Sequence, residues 1–186
     1  MNTYIWKSLV LGSIEYASIT EQNASWKIES TVLVTSEKIP GCKIQYSIKL
    51  DKNWELDTAV IEIDELGSKK VLIIELDENK NWIINKKRDD SFSSCTDLDL
   101  GFSPMTNTIP IRRFALKKGN SAALTACWVQ FPSFKLKPLE QKYTCIDDNT
   151  YLYESGTTFK ATLQVDNMKI VKNFPSVWQM IATNQR

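Results

Sequence analysis

The side chains best equipped for chemistry lie in one stretch, Asp97-Leu98-Asp99-Leu100-Gly101-Phe102-Ser103-Pro104-Met105-Thr106-Asn107-Thr108-Ile109-Pro110-Ile111-Arg112-Arg113-Phe114. On a strand, Asp97 and Asp99 at i and i+2 face the same side, roughly 6–7 Å apart along it. That spacing suits a pair of carboxylates working as acid and base, as in glycoside hydrolysis. A competing arrangement pairs them with Arg112 and Arg113 across a bend. Charges set among Leu, Phe, Met and Ile are costly unless paired, so the pairing is the favoured reading. Adjacent arginines on an extended segment point opposite ways. One could then pair internally while the other offers its planar fork of donors to an anionic or sugar headgroup. Pro104 and Pro110 fix φ and remove backbone donors, which predicts a rigid, partly buried bend. Asn107, between Thr106 and Thr108, reads first as a turn-shaping side chain and second as a ligand contact.

Composition narrows what these groups could do. The 186 residues contain no histidine, which excludes Ser-His-Asp and Cys-His catalysis and every His-based metal site. An acid or base would have to be a carboxylate, Lys, Tyr or Cys. Cys42, Cys95, Cys127 and Cys145 are widely spaced with no Cys-x-x-Cys pair, so neither a zinc nor an iron–sulfur site is expected, and no cofactor. Asp147-Asp148-Asn149 lacks calcium-loop spacing and reads as a turn. Twenty-three basic against 22 acidic side chains give a net charge of +1, with no electrostatic case for nucleic acid or an anionic membrane surface. The apolar run Leu9-Val10-Leu11 is too short for a signal-peptide core, and no segment approaches a membrane span. The expectation is a cytoplasmic protein with reduced thiols and no integral membrane association. The triplet Asn23-Ala24-Ser25 then has no glycosylation role.

The elements that must position the stretch are strands. Tyr4–Leu11 and Ser13–Thr20 read as a hairpin turning at Gly12. Trp26, Ile28, Val32 and Val34 alternate with polar residues, and Ile44, Tyr46, Ile48 and Leu50 do so most cleanly. A turn at Ile39-Pro40-Gly41 separates the two. In Trp54–Asp64 the apolar pattern slips a position, with Trp54, Leu56 and Val60 on one parity and Ile61 and Ile63 on the other, which predicts a β-bulge or a strand bending across a curled sheet. Val71–Leu76 and Trp82–Ile84 form a hairpin, and Lys86–Thr96 reads as an exposed loop. Ala122–Phe131 is apolar enough for a strand buried on both faces. Leu136–Ile146 follows as strand broken by Pro138, then strands from Tyr151 and from Phe159 to Val165. Pro175 with Val177, Met180 and Ile181 suggests a short C-terminal helix. About a dozen strands in one chain of this size imply a single all-β domain over residues 1–186, as barrel, roll or sandwich.

The run Asp97–Phe114, with Ala126-Cys127-Trp128-Val129-Gln130-Phe131-Pro132 and Gln141-Lys142-Tyr143-Thr144, resembles the bacterial putative glycolipid-binding family. The resemblance extends from Trp6 and Glu15 to Phe174-Pro175. Lys142 stands where the family more often has Arg, and Phe174 where it has Tyr. The resemblance implies one antiparallel sheet curled into a spiral, barrel-like β-roll. It also adds Glu15, Gln141 and Tyr143 to the polar cluster. Of the six tryptophans most are expected in the core, and Trp128, beside the motif, is the first candidate for a ligand. Cys127 reads as an inert buried thiol. The implied partner is a glycolipid or other amphipathic small molecule. The expected function is non-catalytic binding in an apolar cleft, with the Asp97–Arg113 cluster at its mouth. The alternative is a carboxylate-dependent hydrolase of a sugar or lipid conjugate using Asp97, Asp99 or Glu15. A module whose motif serves folding alone is the third reading.

Overall fold

The computed structural model describes residues 1–185 except 37, 38 and 40. Their fifteen strands form one open sheet ordered β8-β7-β6-β5-β4-β3-β2-β1-β15-β14-β13-β12-β11-β10-β9. The chain divides into two compact units, Met1–Ser93 with Met180–Arg186, and Ser94–Gln179.

The first unit contains β1 (Asn2–Ser8), β2 (Ser13–Gln22), β3 (Ser25–Val34), β4 (Cys42–Leu50), β5 (Leu56–Glu65), β6 (Ser68–Leu76), β7 (Trp82–Ile84) and β8 (Lys87–Arg88). Alternation decides its inner face. Ile44, Tyr46, Ile48 and Leu50 of β4 are buried while Lys43, Gln45 and Lys49 are exposed. In the β3 register Val32 meets Ile44 and Ile28 meets Ile48, so apolar side chains stack across strands on that face. Each fully buried isoleucine contributes about 1.5–3 kcal/mol. A bulge does interrupt the strand, but at Asp57: Lys49 pairs with Thr58 and Leu50 with Leu56, after which Ala59, Ile61 and Ile63 turn inward. Asn23 and Ala24 both take positive φ (50° and 59°), the two-residue turn that matches hairpin twist. The turn expected at Ile39-Pro40-Gly41 includes residue 40, which lies outside the described residues. The polar stretch 86–96 is not all open loop. It contains β8 and a 3-10 turn, Asp90–Phe92, that buries Phe92.

The second unit contains β9 (Asp97–Leu100), a 3-10 turn (Met105–Asn107), helix α1 (Thr108–Phe114), β10 (Ser121–Val129), β11 (Leu136–Asp147), β12 (Thr150–Ser155), β13 (Phe159–Val165), β14 (Val171–Phe174) and the start of β15 (Trp178–Asn184). Four expectations are corrected here. The sheet is mixed, because β9 runs parallel to β10. The bend after Asp99 is helical, not extended. Pro110 sits third in α1, where backbone N–H groups have no intrahelical partner anyway, so its missing donor costs nothing. Seven residues are too few to be helical alone. Burial of Ile109 and Ile111, with Phe102 and Met105 beside the turn, anchors the segment. Ala115 ends it in the left-handed region, its N–H bonded to Ile111 O.

The third correction concerns Pro138, which does not break β11. It pairs with Cys127 of β10, whereas β12 begins pairing only at Gln141. One side of β11 therefore has no strand partner at Pro138, and a residue without a donor is tolerated there. The fourth is the C-terminal helix: residues 178–184 are strand β15. Pro175 and Ser176 (φ 62°) instead make a tight turn closed by Val177 N–H to Phe174 O at 2.9 Å. Proline at the second position and positive φ at the third define a type II turn. The helix-start signal was a hairpin signal.

Candidate functional site

The side chains of β9, α1, β10 and β11 converge in the second unit. Asp97 is buried on β9, and its Oδ2 accepts from Arg113 Nη2 at 2.5 Å and from Thr96 Oγ1 at 2.7 Å. Arg113 lies in the last helical turn, where positive charge also complements the helix C-terminus. Its guanidinium lies 4.4 Å from the centre of the Phe114 ring.

Asp99 makes a separate set of bonds. Gln141 Nε2 donates to its Oδ2 at 2.5 Å, and Thr106 Oγ1 to its Oδ1 at 3.4 Å. Burial pushes the Asp99 carboxyl up to about 6, opposed by those two donors. Thr106 also accepts from the Leu100 N–H at 3.1 Å, tying the 3-10 turn to the end of β9. The Tyr143 hydroxyl donates to Asn107 Oδ1 at 2.9 Å, with Gln141 Oε1 at 3.5 Å as the longer alternative. Burial first, then Tyr153 and the Asp99 and Asp97 charges, holds the Tyr143 phenol well above its ordinary range. Arg112 leaves this group, donating from Nη1 to the Met168 carbonyl at 2.8 Å.

An open cavity of about 790 Å³ adjoins the cluster. Arg113 and Gln141 are part of its wall, with Phe114, Ala123 and Leu124, and with Ser94, Thr96, Thr125, Glu140, Lys142 and Glu154. This lining is mixed, not the apolar cleft expected from sequence. Its polar groups come from β10 and β11 (Thr125, Glu140, Gln141, Lys142), from α1 (Arg113), from β12 (Glu154) and from the segment before β9 (Ser94, Thr96). Lys142 Nζ stands 3.7 Å from Glu154, which Lys160 holds more closely at 2.6 Å.

Eight of the nine expected side chains therefore lie in one unit, though not as one set. Asp97 joins Arg113, Asp99 joins Gln141, and Asn107 joins Tyr143. Arg112 bonds to the backbone of the loop before β14. Trp128 is the register partner of Asp99 and packs against Gly101, where a Cβ would lie 2.7 Å from its Nε1. Glu15 belongs to the first unit. It is fully buried on β2, and its Oε1 accepts from Ser30 Oγ at 2.8 Å and Tyr46 OH at 2.5 Å. Sequence reasoning gave no role to Thr96 or Phe114 and treated Thr106 only as a flank of Asn107. The adjacency of Thr96 to Asp97 and of Phe114 to Arg113 was the available signal.

The four cysteines are buried and in no disulfide. Burial raises the Cys95 thiol to about 11, that of a poor nucleophile. Among the described residues no cluster of His, Cys, Asp or Glu is arranged to hold a metal ion, and no helix is long and apolar enough to cross a membrane.

The fold and sequence have known counterparts. A crystal structure of a DUF1089 family protein from Pseudomonas aeruginosa is similar over 89% of this chain and 91% of its own, at 28% identity and a TM-score of 0.79. A beta-barrel-like protein of domain of unknown function DUF1849 from Brucella abortus matches over 98% and 96%, at 7% identity and a TM-score of 0.53, a likeness of fold alone. No protein of curated function matches the chain. Residues 3–180 match the family model described as Putative glycolipid-binding, and the chain belongs to that family.

Proposed function

We propose that this protein binds a glycolipid without transforming it, and that the headgroup lies in the second-unit cavity against Arg113 and Gln141. The observation that carries the reading is that these two wall residues are each fixed from behind by a carboxylate. Asp97 holds the Arg113 guanidinium and Asp99 the Gln141 amide, so both present defined donors at little further entropic cost. The Tyr143–Asn107 bond adds a second layer of orientation. A mixed lining suits hydroxyl-rich headgroups better than a bare acyl chain, and the family's name supplies the ligand class.

The test is titration of the protein with short-chain glycolipids, followed by calorimetry and native mass spectrometry. Arg113→Lys and Gln141→Met should each weaken binding about 10- to 100-fold, the loss of a hydrogen bond involving or backed by a charge. Absence of bound lipid in the purified protein, with no binding of glycolipid or acyl probes, overturns the reading.

One observation favours a second reading, hydrolysis of a sugar or lipid conjugate. A carboxyl raised to about 6, beside the second carboxylate Asp97, is tuned as a general acid would be. Turnover of glycoside or ester substrates that is unchanged in both Asp97→Asn and Asp99→Asn eliminates it. Four buried cysteines outside any disulfide support a reducing, cytoplasmic location. Fractionation of the source cells tests this.

A further inference from the structure

We propose that the β1–β2 tip of the first unit, with the sheet face beside it, docks onto an anionic lipid bilayer. The four-residue connection Leu9-Val10-Leu11-Gly12 is three-quarters aliphatic, whereas tight turns favour Gly, Asn, Asp, Ser and Pro. Leu9 is 50% exposed and Val10 62%. The tip is not a loose end. Buried Ser8 turns its Oγ onto the Val10 and Leu11 N–H groups at 3.3 and 2.9 Å. Gly12, at φ 58°, gives its carbonyl to the Thr35 N–H at 3.0 Å and hydroxyl at 2.6 Å. The backbone is thus satisfied while the aliphatic side chains stay in water, an arrangement that serves a surface able to receive them.

The chain as a whole is near neutral, and on the adjoining face Glu62 and Asp64 lie among the lysines, so the case rests on a local row. Across β1, β2, β3 and β4 one register row reads Lys7, Ile14, Leu33, Lys43. Ile14 and Leu33 are direct partners and both about half exposed, and the two lysines at the ends are exposed. The row continues through Asp64 to Lys69, and Asp64 Oδ1 accepts from the Gly67 N–H at 2.8 Å. Apolar groups bounded by lysines are what a bilayer interface accepts. Aliphatic side chains enter the acyl boundary, and ammonium groups meet lipid phosphates with their stems lying along apolar surface. The proposal does not depend on the cavity reading, since vesicles without glycolipid are sufficient to test it.

Cosedimentation of the full chain with phosphatidylcholine vesicles, with and without phosphatidylglycerol, should show binding to the anionic vesicles that weakens with salt. Leu9→Asp/Val10→Asp and, separately, Lys7→Glu/Lys43→Glu should each lower that binding at least about tenfold, with unchanged circular dichroism and melting midpoint because all four residues are exposed. No binding by the wild-type chain, or binding unaffected by both pairs, overturns the proposal. Concentration-dependent self-association abolished by Leu9→Asp/Val10→Asp would also overturn it, assigning the surface to a second copy of this chain.

Discussion

Replacing Arg113 by Met keeps most of the side-chain volume and removes the charge opposite Asp97. The Asp97 side chain is 2% exposed and that of Arg113 18%. Leaving one member of a fully buried ion pair uncompensated costs about 3–5 kcal/mol. Here Arg113 borders an open cavity and Asp97 keeps the Thr96 hydroxyl, so the cost falls at or just below the bottom of that range, about 2–3 kcal/mol. Asp97→Asn should cost about as much by stranding the guanidinium. The double variant should cost little more than the worse single, a coupling of about 2 kcal/mol in a double-mutant cycle. Urea unfolding followed by the fluorescence of the six tryptophans gives each free energy. Asp99→Asn with Arg113→Met is the internal control, because Asp99 bonds to Gln141 and Thr106. That pair should add to within about 0.5 kcal/mol. Additivity in the Asp97 cycle, or coupling of equal size in the Asp99 cycle, refutes the assignment of partners.

Asp99 should make stability fall as pH rises. Its folded pKa of about 6 exceeds the ordinary 3.8, so between those values the native state holds more protons than the unfolded chain, and ionisation at higher pH costs up to about 3 kcal/mol. Wild-type unfolding free energy compared with Asp99→Asn across pH 4–7 should lose that slope in the variant, and a parallel pair of curves contradicts it. Gly101→Ala should destabilise by about 1–3 kcal/mol, since its Cβ would fall 2.7 Å from Trp128 Nε1 and 3.0 Å from Val129 O. A shift in tryptophan emission should accompany the loss. Tyr143→Phe removes the donor to buried Asn107 and should cost about 1–3 kcal/mol by denaturant titration, leaving the ordinary unfolding slope unchanged.

The strand pattern was legible because burial of one sheet face imposes a period of two on every pair of side chains. That signal located β3 and β4, and its slip within β5 marked an irregular strand, whose bulge lies opposite Lys49–Leu50. It did not reach α1, because seven residues span barely two turns and show no helical period, while Pro104 and Pro110 read as breaks. What holds Thr108–Phe114 in place is tertiary: Ile109 and Ile111 are buried, and Arg112 and Arg113 reach Met168 and Asp97, far off in sequence. At the C-terminus the same limit worked in reverse. Pro175 is as well suited to a type II turn as to a first helical turn, and strand pairing decided between them.

The site divides along the same line. That aspartates and arginines set among apolar residues would pair follows from charge and burial alone, and Asp97–Arg113 obeys it. Which aspartate takes which arginine depends on a rotation that only the helix supplies. On an extended segment Arg112 and Arg113 would face opposite sides. On α1 they differ by about 100°, which brings Arg113 to Asp97 and Arg112 to the Met168 carbonyl. With Arg113 on Asp97 and Arg112 on the Met168 carbonyl, the donors to Asp99 are the neutral groups of Gln141 and Thr106. A neutral donor offsets less of the cost of burying a carboxylate than a guanidinium does. Burial therefore raises the Asp99 carboxyl, with only those neutral donors opposing the rise.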